Sequence, residues 1–149
     1  MGGDLLRLLQ CLLLLCWLQT SSALAETIIS GPVEAELLQV IDGDSIVVKA
    51  RIWFGQYVEI VVKIAGIDAP ALEGNCAAET AKGVEARDFL EQTLQDKKLW
   101  LYGIESQRYA GNVTAIVKYD NNSDISALLL KKELAVPYYG KGSKRGWCE

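Results

Sequence analysis

No histidine occurs among the 149 residues. That absence removes Ser-His and Cys-His catalysis, and most zinc sites, from consideration. No internal repeat and no low-complexity linker divides the chain, and its length fits one domain. An excess of positive charge is also missing: 15 Lys and Arg face 19 Asp and Glu, a net of −4. Nucleic-acid binding leans on cationic contacts with phosphates. Any such binding here has to come from a local basic patch working against the global field.

Long apolar runs are scarce too. The leucine-rich stretch from Leu8 to Leu18 is shorter than the about 20 residues a membrane span needs, and Gln10 breaks it. Arg7 precedes the stretch and Ala23-Leu24-Ala25 follows it. This is the order of a secretory signal peptide, with cleavage expected after Ala25. The expectation is therefore a signal peptide over 1–25 and one domain over 26–149, exported to the periplasm or the medium, with no membrane span in the mature chain. Cys11 and Cys16 leave with the leader, and neither follows the small residues of a lipoprotein cleavage site. Asp4 and Arg7 leave together, so the balance stays acidic. Cys76 and Cys148 remain. An even pair in an exported protein predicts a disulfide, with two buried thiols as the alternative.

Along the chain, Val33–Ile41, Ser45–Trp53 and Tyr57–Ala65 read as three strands, the second and third joined through Phe54-Gly55-Gln56. Ala77–Leu94 carries Ala81, Val84, Ala86, Phe89, Leu90 and Leu94 at roughly helical spacing. Lys98–Ile104 and Val113–Tyr119 follow as strands across a hairpin loop. A second helix is expected over Asp124–Leu134 with Ser123 as N-cap, using Ile125, Leu128 and Leu129 as its apolar face. Trp53, Trp100 and Trp147 read as packing residues. Three strands, a helix, two strands and a helix is the composition of a small closed barrel, although periodicity alone does not separate it from another α+β fold.

Two acidic clusters stand at strand ends, Ile41-Asp42-Gly43-Asp44-Ser45 and Ala65-Gly66-Ile67-Asp68-Ala69-Pro70. Singly, an Asp-Gly turn is usually only a turn. A carboxylate at each of two adjacent turns can build an oxygen-rich site for a hard cation such as Ca²⁺.

The series VIDGDSI, then VVKIAGIDAP, then a helix containing EARDFL resembles the staphylococcal nuclease (thermonuclease) family over about Glu34 to Cys148. The ending LAVPYYGKGSKRGWC is similar to that of the family's exported bacterial branch. The resemblance implies a mainly β, α+β fold: a five-stranded OB-fold barrel with two to three packed helices. It also implies Ca²⁺-dependent hydrolysis of DNA or RNA, using two metal-binding aspartates, two phosphate-gripping arginines and a glutamate that orders or activates water.

Carried over position by position, the metal aspartates fall on Asp44 and Asp68, and a carbonyl ligand on Ala69. The first arginine falls on Lys63, which keeps the charge and loses the bidentate fork. The glutamate falls on Ala71, which can neither orient nor deprotonate a water; Glu73, two residues on, is a conceivable substitute whose plainer reading is a solvated loop acid. The second arginine falls on Asn112, or on Gly111 with one fewer gap, so the cation is absent either way. Arg108 stands where the family often carries a phosphate-contacting lysine, and Tyr109 follows it. Tyr138 and Tyr139 lie where the family places a tyrosine beside the base, and OB-folds commonly stack bases on aromatics. Lys141, Lys144 and Arg145 follow. Core-edge capping and a solvated basic tail are the plainer readings of these last two groups.

These replacements lead us to expect an exported, catalytically degenerate member that binds nucleic acid or a nucleotide, another anion or a protein partner, with Ca²⁺ at most weakly held. The alternative is a weakly active Ca²⁺-dependent nuclease.

Overall fold

The computed structural model describes residues 28–107, 111–140 and 146–148. The expected leader, together with Arg108, Tyr109, Lys141, Lys144 and Arg145, lies outside the described residues.

Strands β1 (Ile28–Ile29), β2 (Val33–Val40), β3 (Ser45–Trp53) and β4 (Gln56–Ile64) precede the short β5 (Ile67–Asp68). Helix α1 (Ala77–Leu94) is followed by β6 (Lys98–Ser106), β7 (Asn112–Tyr119) and β8 (Ser123–Asp124), then α2 (Ile125–Lys131) and β9 (Val136–Pro137). Parts of β3, β4, β6 and β7 bury alternate residues, as a sheet with one wet face requires. Ile46, Val48 and Ala50 of β3 point inward, as do Val62 and Ile64 of β4. Leu99 and Leu101 of β6 face Val113, Ala115 and Val117 of β7 across the same core.

The barrel closes in the order β2-β3-β4-β7-β6, with β6 pairing both β7 and β2. The β4–β7 pairing is parallel and the other four are antiparallel. A parallel pair needs a long crossover, which α1 and β6 supply. This is the expected five-stranded OB-fold barrel, with α1 lying against β2 and α2 against β7. Among the described residues, no helix is long and apolar enough to cross a membrane.

Helix α1 spans the expected residues, but its buried side is Glu79, Gly83, Ala86, Leu90 and Leu94. Ala81 and Val84 face outward, because Gly83 occupies the closest approach: a Cβ there would lie 2.5 Å from the Ala71 carbonyl oxygen. Cys76 caps the helix and is disulfide-bonded to Cys148, as the cysteine pair predicted.

Two expectations need correction. The N-cap of α2 is Asp124, whose Oδ1 accepts the Ser126 and Ala127 amides at 2.9 and 3.4 Å, and the helix ends at Lys131. Trp53 is no packing residue: it is 67% exposed, beside Phe54 at 81%. The β3–β4 hairpin outruns its neighbours there, since β2 pairs with β3 only as far as Ala50 and β7 pairs with β4 only from Val61.

Candidate functional site

The Asp42-Gly43-Asp44 bend follows β2 and feeds β3. Asp42 Oδ1 accepts the Asp44 amide at 3.0 Å, a local carboxylate–backbone turn of the kind aspartate favours. The Asp44 carbonyl accepts the Ile64 amide at 2.8 Å, tying the bend to the end of β4. Register then decides who meets Asp44. Ser45 pairs with Lys63 across β3–β4, so the Lys63 stem starts beside the buried carboxylate. Lys63 Nζ donates to Asp44 Oδ1 at 2.6 Å, and Ser45 Oγ donates to the same oxygen at 2.8 Å. Asp44 Oδ2 accepts the Ala69 amide at 3.0 Å. The second acidic turn is thereby joined to the first.

Asp44 and Asp68 are each only 4% exposed. Gly43 permits this crowding: a Cβ there would sit 2.7 Å from the Cβ atoms of both Ala69 and Ala86. Burial pushes the Asp42 carboxyl above its ordinary range; the bond from the Asp44 amide opposes this, and the neighbouring Asp44 charge adds to it.

Two clefts open at this end of the barrel. One, of about 430 Å³, is lined by Lys63, Glu105, Gln107, Thr114, Tyr138 and Tyr139. Gln107 Nε2 donates to Thr114 Oγ1 at 2.8 Å within it. Tyr138 is held through its amide to the Gly66 carbonyl at 3.0 Å, and Tyr139 is 82% exposed. The other cleft, of about 500 Å³, is lined by Asp68, Ala69, Ala71, Asn75, Glu79 and Trp147. The C-terminal Trp147 and Cys148 form part of its wall, held there by the disulfide.

A family model described as staphylococcal nuclease homologue matches residues 61–146, more than half of the chain. The chain belongs to the staphylococcal nuclease family. Among curated proteins, none matches it.

As a staphylococcal nuclease homologue, the chain can be read against the family's site. Asp44, Lys63 and Ala69 are brought into direct contact, with Asp68 on the adjoining turn. Ala71, whose side chain is only a methyl group, lines the Asp68 cleft, and Glu73 is exposed and not among that cleft's lining residues. Asn112 is the first residue of β7, where its carbonyl accepts the Gln107 amide at 3.0 Å. It carries no charge to offer a phosphate. Arg108 and Tyr109 lie outside the described residues.

Glu79 was not singled out from sequence. Its Oε2 accepts the Asn75 amide at 2.7 Å while its own amide reaches the Cys76 sulfur at 3.5 Å. The Cys-x-x-Glu spacing at a helix start is a variant of the capping-box pattern and could have found it. Glu105 and Gln107 carry no comparable signal.

The family implies a calcium ion, and the donor atoms test whether these residues fit one. Calcium takes six to eight oxygens. A carboxylate has about four acceptor positions. On Asp44, protein donors already fill three of them. One of those donors is an ammonium, and the Ala71 side chain supplies no oxygen. As arranged, this donor set does not fit a hard dication.

Proposed function

We propose that this chain is an exported staphylococcal nuclease homologue that has lost efficient phosphodiester hydrolysis and keeps its barrel mouth for binding single-stranded nucleic acid. The observation that carries the first half is Ala71 beside the buried aspartates: no carboxylate stands at the family's water-activating position. A missing general base typically costs about 10²–10⁴ in rate. A missing donor to the transition-state charge, here the arginine at Asn112, typically costs about 10²–10³. Such losses do not simply add, yet either one leaves little of a fast nuclease.

Support for binding comes from the cleft of Lys63, Gln107, Thr114, Tyr138 and Tyr139. It offers a cation, amide and hydroxyl groups, and an exposed aromatic ring, the set that single-stranded ligands use when bases stack and phosphates meet cations. The acidic balance of the chain and Glu105 in the lining both oppose an anion, so the affinity is modest and salt-sensitive. The Cys76–Cys148 disulfide and the leader-like N-terminus support export, because disulfides persist in oxidising compartments.

Anisotropy of a labelled single-stranded oligonucleotide, measured across a salt series in EDTA, tests the binding claim. Binding that weakens with salt, by a log–log slope of about −0.7 per phosphate contacted, and loses about 1–3 kcal/mol on Tyr139→Ala is expected. A flat response, or binding indifferent to Tyr139, would assign the cleft to another anion or to a protein partner.

A further inference from the structure

In the site as it stands, a cation is already present. The Lys63 ammonium touches a nearly buried carboxylate oxygen at 2.6 Å, while the lysine side chain keeps 35% of its surface in solvent. A dication bound to that same oxygen sits about 2.4 Å from it. It would then lie no more than about 5 Å from the ammonium, close enough for strong like-charge repulsion in a partly desolvated site. Two more acceptor positions are taken by Ser45 and by the backbone at Ala69, leaving about one for an incoming metal.

Lysine suits this arrangement better than arginine would. Its charge is compact and sits on a flexible stem, so it can end on one oxygen, whereas a planar guanidinium projects a fork suited to an outside carboxylate or phosphate. The charges at the mouth point the same way. Asp42, Asp44 and Asp68 crowd two touching turns, and among the described residues Lys63 is the cation in contact with Asp44. A buried ion pair is costly to break from one side, because the remaining charge is left uncompensated. Removal of the ammonium therefore creates a demand for positive charge at that place.

We propose that Lys63 is the resident cation of the barrel mouth: it satisfies Asp44, excludes divalent metal, and makes the fold independent of it, so that deleting this one charge turns Asp44 and its neighbour Asp68 into a divalent-cation site. The inference concerns metal binding and folding only. It stands whether or not the cleft binds nucleic acid.

The test compares disulfide-intact wild type, Asp44→Asn, Lys63→Met and the double variant Asp44→Asn/Lys63→Met. Each is titrated with Tb³⁺, read by sensitised luminescence, and melted in CaCl₂ and in NaCl of equal ionic strength. Wild type should show no saturable Tb³⁺ signal and the same Tm in both salts. Lys63→Met should melt lower in NaCl, regain stability in CaCl₂, and bind Tb³⁺ saturably, at least about tenfold tighter than wild type. The double variant, neutral at both positions, should fold without calcium and bind no Tb³⁺ at this place. Saturable wild-type binding that Asp44→Asn abolishes would overturn the proposal. So would a Lys63→Met chain that gains no metal binding, or that stays unfolded in both salts, since a bound dication should have replaced the lost charge.

Discussion

The backbone amide of Ala69 donates to Asp44 Oδ2 at 3.0 Å, so the two acidic turns of the barrel mouth form one hydrogen-bonded unit. Anything that separates these turns disturbs the mouth as a whole. Lys63 reinforces the same unit from the strand side, across the Ser45–Lys63 pair.

Gly43 is the point of closest packing in that unit. Its Cα faces Ala69 and Ala86 with no room for a methyl group. Gly43→Ala should cost about 1–3 kcal/mol by overpacking, measured by denaturant unfolding. It should also weaken protection of the Ala69 amide in hydrogen exchange. An unchanged midpoint and unchanged protection would mean that the turns are not packed as described.

Asp42 supplies a pH test. Its folded-state carboxyl is raised, chiefly by burial. A raised acid contributes stability that is fully present below its unfolded pKa of about 4 and is lost as pH rises through the folded value. At neutral pH the wild type therefore carries a cost that a neutral side chain avoids. Asp42→Asn keeps an oxygen for the Asp44 amide. It should melt above wild type at pH 7, with the gap closing as pH falls toward 4. A gap that widens with acid would reverse the sign and contradict burial as the main cause.

Much of this architecture was readable from the amino-acid order. The ends of β2, β3 and β4 fall within a residue or two of expectation, because turn residues bound each strand, and α1 matches its expected bounds. The cap of α2 was not legible, because Ser123 and Asp124 are both good N-cap residues and only the backbone path chooses between them. Nor was the exposure of Trp53 and Phe54, which follows from how far β2 and β7 reach rather than from residue type. At the site, Asp44, Lys63 and Ala71 were named by the family resemblance. That the Lys63 ammonium folds back onto Asp44 depends on strand register and burial, which no local pattern records. Glu79 was missed because its role is a backbone contact with Asn75.

The Cys76–Cys148 bridge closes a separation of 72 residues and pins the C-terminal wall of the Asp68 cleft. Chain entropy gives such a closure an upper value of roughly 4 kcal/mol. Reduction, or paired Cys→Ser replacement, should lower the unfolding free energy by up to that amount and increase exchange at the start of α1, where Cys76 is the cap. Equal stability of the oxidised and reduced protein would remove the disulfide from the account.

The proposed loss of hydrolysis rests on a mouth that keeps Asp44 and Asp68 but carries Ala71 and Asn112 at the places of the family's glutamate and second arginine. Its most direct test is hydrolysis of single-stranded DNA by purified wild type in Ca²⁺, run beside Asp44→Ala to expose contamination. The account predicts no digestion by wild type above the Asp44→Ala background. Rapid digestion that disappears with Asp44→Ala would contradict it and make the protein a working nuclease.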